Sequence, residues 1–195
     1  MPNPQILVAF YTSTGTNKAI AEIAARAAEG AGAEVRLRRF AETAPQSVID
    51  GNDKWTETLA SMQDIAEIAH DDMEWAHGYF FSVPTRYGAP PSQMTMFTDT
   101  LGPLWQNGAM ANKAFCAATS AQTVHGGQEG TLRTMQTIAT HWGCILVPPG
   151  YANPVKFEDG GNPYGYSQQS SDAPHEASIT YQAERLTDVA GKLFA

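Results

Sequence analysis

Apolar residues in this chain come in blocks, and the period within each block sorts strands from helices. Ile6-Leu7-Val8-Ala9-Phe10-Tyr11 is an unbroken apolar run, the pattern of a strand buried on both faces, and predicts a strand over 5–11. Next, Ile20, Ile23, Ala24, Ala27 and Ala28 fall on one side of a helix over 17–30. At 33–39, Val35 and Leu37 alternate with Glu34, Arg36 and Arg38, which predicts a half-exposed edge strand. Residues 44–62 are polar and aperiodic, a surface excursion with room for one short helix. A second buried run at 78–83 is followed by a helix over 92–101 and a loop carrying Leu104, Trp105 and Gly108. A strand at 114–118 leads into a polar loop at 119–127, a helix over 128–142 and a strand at 144–147. Residues 148–172 read as one long loop rich in Pro, Gly, Asn and Tyr, and loops of that length are more often functional than idle. Beyond Pro174 a last helix buries Ile179, Ala183, Leu186, Val189 or Ala190, and Leu193.

Strand and helix alternate throughout, so the expected architecture is α/β, a doubly wound five-stranded parallel sheet with helices on both faces. The 195 residues suit a single domain. Sheets of this kind bind ligands outside the carboxyl ends of the strands, where strand order reverses. Three segments rich in Gly, Pro, Ser and Thr converge there, at 12–17, 84–89 and 119–126. The first is Thr12-Ser13-Thr14-Gly15-Thr16-Asn17, set between a strand and a helix N-terminus. Free N–H groups, the helix dipole and side-chain hydroxyls at such a turn can hold a phosphate. No Gly-Lys-Ser/Thr follows and no Gly-x-Gly-x-x-Gly is present, so neither mononucleotide nor dinucleotide fingerprint applies. A Thr-rich helix cap without a ligand is the alternative.

Charge and composition remove several function classes. Twelve basic residues against twenty acidic ones give a net charge of -8, with no basic cluster, which argues against nucleic-acid or anionic-membrane binding. No stretch is apolar and long enough for a membrane span, and no leader pattern is visible, so a cytoplasmic protein is expected. Cys116 and Cys144 lie on predicted strands at a spacing that suits neither zinc nor a redox pair. The five histidines are scattered, and no metal is expected.

Pro84-Thr85-Arg86-Tyr87-Gly88, followed by Ser92-Gln93-Met94, makes the resemblance specific. The chain resembles the WrbA-type NAD(P)H:quinone oxidoreductases, flavodoxin-like FMN proteins. Leu104-Trp105 with Gly108-Ala109, Gly126-Gly127-Gln128-Glu129, His141 before Gly143, Val147-Pro148-Pro149-Gly150-Tyr151 and the segment 160–165 agree in order and spacing. The resemblance implies sheet order 2-1-3-4-5, FMN as cofactor, NADH or NADPH as electron donor, a quinone acceptor and a homotetramer. It implies that Thr12, Ser13, Thr14, Gly15, Thr16 and Asn17 hold the phosphate. Pro84, Thr85, Arg86, Tyr87 and Gly88 would wrap the ring edge, and Thr119, Ser120, Ala121, Gln122, Thr123 and Gly126 would line the ribityl chain and pyrimidine. Trp105 and Tyr87 would shape the acceptor cavity, and His141 would approach the flavin as a proton source. Four positions depart from the family pattern: the loop after the fourth strand is longer, Thr14 and Trp142 replace an aromatic and a histidine, and Ala89-Pro90-Pro91 stiffens the ring loop. An electron-transfer flavodoxin is the competing reading. Tyr151, Phe157, Tyr164 and Tyr166 load the 148–172 segment with aromatic side chains, which suits subunit contacts or a loop folded back on its own domain.

Overall fold

A computed structural model describes residues 3–195. The chain runs β1 (Gln5–Phe10), α1 (Thr16–Gly30), β2 (Glu34–Arg39), α2 (Gln46–Ile49), α3 (Asp53–Ala60), α4 (His70–Trp75), β3 (Gly78–Pro84), α5 (Ser92–Asp99) and α6 (Gly102–Gln106). It continues through β4 (Ala114–Ala121), α7 (Gln128–His141), β5 (Ile145–Leu146), a 3₁₀ turn (Pro154–Phe157), β6 (Tyr166–Gln169) and α8 (Glu176–Leu193). All pairings in the sheet are parallel, in the order β2-β1-β3-β4-β5. The sheet is the flavodoxin-like one that the resemblance implies.

Successive strand residues point to opposite faces, so one apolar run feeds two cores. Ile6, Val8 and Phe10 of β1 pack with Ile20 and Ala24 of α1 and with Ile179, Ala183, Leu186 and Ala190 of α8. Leu7, Ala9 and Tyr11 face the other way, toward Met94 of α5, Leu104 of α6 and Leu132, Met135 and Ala139 of α7. Both layers are therefore anchored by β1, and the loop that follows it leaves from an interior strand of the sheet.

Several expectations need correction. The fifth strand is not 144–147 but the short β5, whose Ile145 and Leu146 are 41% and 37% exposed. The segment 148–172 is not a loop throughout, because β6 within it pairs with β4. Phe115 pairs with Leu146 and Ala118 with Tyr166, so β5 and β6 occupy one sheet position interrupted by residues 147–165. Pro148 and Pro149 lack the N–H groups that would continue the ladder. The excursion at 44–62 holds two helices, and Trp105 stands on α6, opened by Pro103 in its first turn. The edge strand is half-exposed as expected, and its Arg36 and Arg38 both meet buried Asp72 of α4 at 3.0 Å. The interrupting segment is held by fully buried Lys156, 2.5 Å from Asp159, whose carboxylate also takes the Ser178 hydroxyl of α8. No helix among the described residues is long and apolar enough to cross a membrane.

Candidate active site

α1 begins in a way that leaves an anion site open. Gly15 is its N-cap, at φ +95° in the left-handed region, and no side chain caps the helix. A substituent on Gly15 would meet open space. The first turn carries no acidic residue, so the unpaired first-turn N–H groups and the dipole face no internal negative charge. By contrast α7 carries Glu129 and α4 carries Asp71 and Asp72 in their first turns.

A cavity of about 310 Å³ stands at this point. Thr12, Ser13, Thr14, Thr16 and Asn17 line it from the first loop, Pro84, Thr85 and Arg86 from the second, and Ser120, Ala121 and Gln122 from the third. The three loops expected to meet do meet. Asn52 and Trp55 at the start of α3, and Ser170 after β6, complete the wall; none of these three is signalled by a local motif. No Asp or Glu lines the cavity, and the exposed Arg86 guanidinium donates to Ser13 Oγ at 3.1 Å, bridging the ring loop and the phosphate loop. That donor set fits a phosphate monoester. A larger cavity of about 620 Å³ lies between residues 124–129 and the 159–172 segment, but Glu129 and Asp172 line it with no Lys or Arg. Its charge disfavours phosphate.

Several of the implied ligand residues spend their polar atoms on the scaffold. Thr12 Oγ1 accepts from Gly15 N at 2.9 Å and shapes the loop. Buried Asn17 donates to Ser120 Oγ at 2.8 Å and accepts from Ser82 Oγ at 3.2 Å, tying α1 to the ends of β3 and β4. Fully buried Thr119 donates to Val83 O and does not line the cavity. Thr85 N donates to Ser120 O, and its hydroxyl pairs with Thr131 of α7 at 2.6 Å. Ser13, Thr14, Arg86 and Gln122 line the cavity as well, and so does Thr16, whose hydroxyl donates to Ser170 O at 3.4 Å. Thr123 and Gly126 lie further along the loop, where Thr123 O accepts from Gly126 N and Gln128 Nε2.

The ring loop is a tight turn. Arg86 and Ala89 exchange backbone hydrogen bonds at 2.8 and 3.0 Å, with Tyr87 at φ +52° and Gly88 at φ +81° between them. Two positive φ values define a type I′ turn, a geometry that strains a tyrosine. Tyr87 is completely exposed. An exposed, strained aromatic beside the cavity has no packing reason to be there. Gly127 locks this turn from below: a Cβ on it would lie 2.6 Å from Gly88 Cα.

Trp105 and His141 are brought to each other, not to this cavity. Trp105 Nε1 donates to His141 O at 2.9 Å, and Trp105 is 59% exposed. His141 ends α7, whose other end packs on the ring loop. The fourteen residues of α7 separate them by about 20 Å. Burial pushes the Cys116 and Cys144 thiols up to about 12, so neither is a nucleophile at neutral pH. No cluster of metal-ligating side chains occurs among the described residues.

The family model described as NADPH-dependent FMN reductase matches residues 6–158. A protein of Deinococcus radiodurans named NAD(P)H dehydrogenase (quinone) is 50% identical over 193 residues, covering 97% of this chain and 96% of its own. One of the same name from Methylocella silvestris is 34% identical over 200 residues, covering 97% and 98%. Among solved structures, a WrbA-like flavodoxin from Agrobacterium tumefaciens has TM-score 0.67 at 20% identity over 97% of this chain and 99% of its own. An archaeal flavodoxin has TM-score 0.61 at 14% identity, covering 98% and 99%. The chain therefore belongs to the NADPH-dependent FMN reductase family and is an oxidoreductase with the flavodoxin-like fold.

Proposed function

We propose that the chain catalyses two-electron reduction of quinones by NADH or NADPH, with FMN in the 310 Å³ cavity as redox cofactor and a ping-pong cycle through the flavin N5. The observation that carries this reading is an uncapped, acid-free helix N-terminus opening onto a carboxylate-free cavity where the strand order reverses. First-turn N–H groups of α1 and the hydroxyls of Ser13, Thr14 and Thr16 hold the phosphate, with Arg86 supplying positive charge. Of the backbone donors at 85–88, those of Thr85 and Arg86 are taken internally. Tyr87 and Gly88 N–H are the ones left to steady negative charge developing on the ring.

Tyr87 and Trp105 shape the acceptor cavity, and His141 supplies a proton, but only across a contact between subunits. Support for a homotetramer with shared sites comes from the position of His141 and from the exposed aromatics. Tyr151 and Phe157 stack at 5.6 Å and stand 52% and 71% exposed, an apolar patch suited to burial. Tyr166 and Tyr164 are instead drawn into their own domain. Two free cysteines suit a reducing cytoplasm.

Steady-state turnover of NADH and NADPH with a benzoquinone tests the activity, and parallel double-reciprocal lines are expected. Flavin-loaded protein without turnover would return the chain to an electron-carrier reading. Light scattering at micromolar concentration tests the assembly, and a monomer mass with and without FMN would remove the shared site.

A further inference from the structure

We infer that Asn52 and Trp55 wall the phosphate end of the cofactor site, and that Glu42 is the positioning residue that holds Trp55 in that wall. This rests on FMN occupying the cavity. Trp55 is half-buried and lines the cavity beside the 12–17 loop. Its Nε1–H donates to Glu42 Oε2 at 3.0 Å. The same oxygen accepts from Tyr11 Oη at 3.1 Å, and Tyr11 immediately precedes Thr12. The other oxygen accepts from Thr43 N at 2.8 Å, Ala44 N at 2.9 Å and Gln93 Nε2 at 3.0 Å. One carboxylate thus ties the end of β1, the loop after β2, α3 and α5 around the mouth of the phosphate loop. Burial alone would raise the Glu42 carboxyl, but donors from Ala44, Gln93, Trp55 and Thr43 outweigh it and hold it below the usual range.

The consequence lies in which part of Trp55 the cavity meets. Its one polar atom is turned to Glu42, so it offers carbon to the space opposite the hydroxyls of Ser13, Thr14 and Thr16. Carbon there excludes water and lowers the local dielectric, which strengthens the hydrogen bonds that hold a phosphate. Asn52 Oδ1 caps α3 through Trp55 N at 3.1 Å, leaving its amide nitrogen as the donor on that side. The wall should therefore act on the phosphate and not on the ring.

The experiment titrates apoprotein with FMN and with riboflavin, which lacks the phosphate, and follows flavin fluorescence. The readout is the riboflavin-to-FMN ratio of Kd. Trp55→Ala is expected to lower this ratio about tenfold. Trp55→Phe keeps a ring but cannot bond Glu42, and is expected to lower it about threefold. Glu42→Gln should match Trp55→Phe and add nothing in the Trp55→Phe background. An unchanged ratio in Trp55→Ala overturns the wall. Equal effects of Glu42→Gln in both backgrounds overturn the positioning role, and if Glu42→Gln does not fold, Trp55→Phe alone decides it by an unchanged ratio. Wild-type protein that binds neither flavin removes the FMN reading itself, a result distinct from either.

Discussion

Gly127 and Gly88 both have positive φ, at +90° and +81°, yet substitution by alanine should affect them unequally. A Cβ on Gly88 meets nothing within 4 Å, so Gly88→Ala carries only the left-handed backbone cost of roughly 1–2 kcal/mol. A Cβ on Gly127 lies 2.6 Å from Gly88 Cα and 3.2 Å from Gly88 N. Those are backbone atoms, which cannot swing aside as a side chain would. Overpacking of that kind adds roughly 1–3 kcal/mol, and relief requires the 86–89 turn to shift by several tenths of an ångström. At about 3 °C per kcal/mol for a chain of this size, Tm should fall about 5 °C in Gly88→Ala and about 10 °C in Gly127→Ala. FMN Kd, read by fluorescence titration of apoprotein, should rise about tenfold in Gly127→Ala and less than threefold in Gly88→Ala. Equal losses in the two variants would mean that the close approach of α7 is not what fixes the ring loop.

Three other outcomes are expected. Lys156→Met should destabilise the chain by about 3–5 kcal/mol, because Asp159 is left buried without its counter-charge; Lys156→Met with Asp159→Leu should recover part of this in thermal melts. Burial pushes the Lys113 amine down to about 8 from 10.5. Between those pH values the unfolded chain holds the extra proton, so stability rises with pH through this group. The Tm gap between wild type and Lys113→Met should therefore widen from pH 8 to pH 10.5, and a constant gap would refute the shift. Tyr87→Gly should leave Tm equal or slightly higher, by relieving a strained φ of +52° worth about 1 kcal/mol, while KM for a benzoquinone rises. A lower Tm would show that the tyrosine packs after all.

The central strands were legible because burial on both faces leaves an uninterrupted apolar run, and β1, β3 and β4 have buried residues almost throughout. The sheet's fifth position was legible only in part: the expected strand at 144–147 contains β5, while β6 was missed, for a physical reason. Its two pieces, Ile145–Leu146 and Tyr166–Gln169, are too short to display a period. β6 also buries a glutamine. Gln168 is accepted there because its amide is fully engaged, donating to Gln169 O and Asp172 O and accepting from Tyr166 Oη. Such pairing is imposed by the partner strand β4, and no local pattern announces it. The ion pairs of the β2 arginines were hidden in the same way, since their partner Asp72 arrives from α4.

The site divides along a similar line. Loops at the ends of β1, β3 and β4 were readable because a turn between strand and helix has a composition of its own. What each hydroxyl or amide does was not readable, because buried Thr, Ser and Asn at crowded strand ends must first satisfy one another. Asn17, Thr85, Thr119 and Ser120 do so, so the proposed recognition falls on the less buried Ser13, Thr14, Thr16 and Arg86. Asn52, Trp55 and Ser170 reach the cavity from elements distant in the chain, where nothing in their neighbours marks them. His141 is the inverse case, a motif residue at the far end of α7, about 20 Å along the helix from the end that packs on the 86–89 turn. One helix thus joins two jobs: its first turn fixes the ring loop through Gly127, and its last turn presents His141 and its Trp105 partner to whatever docks there. A role for His141 in the chemistry would therefore require a second copy of the chain, and on that proposal subunit assembly would be a condition of activity and not a detail of packing.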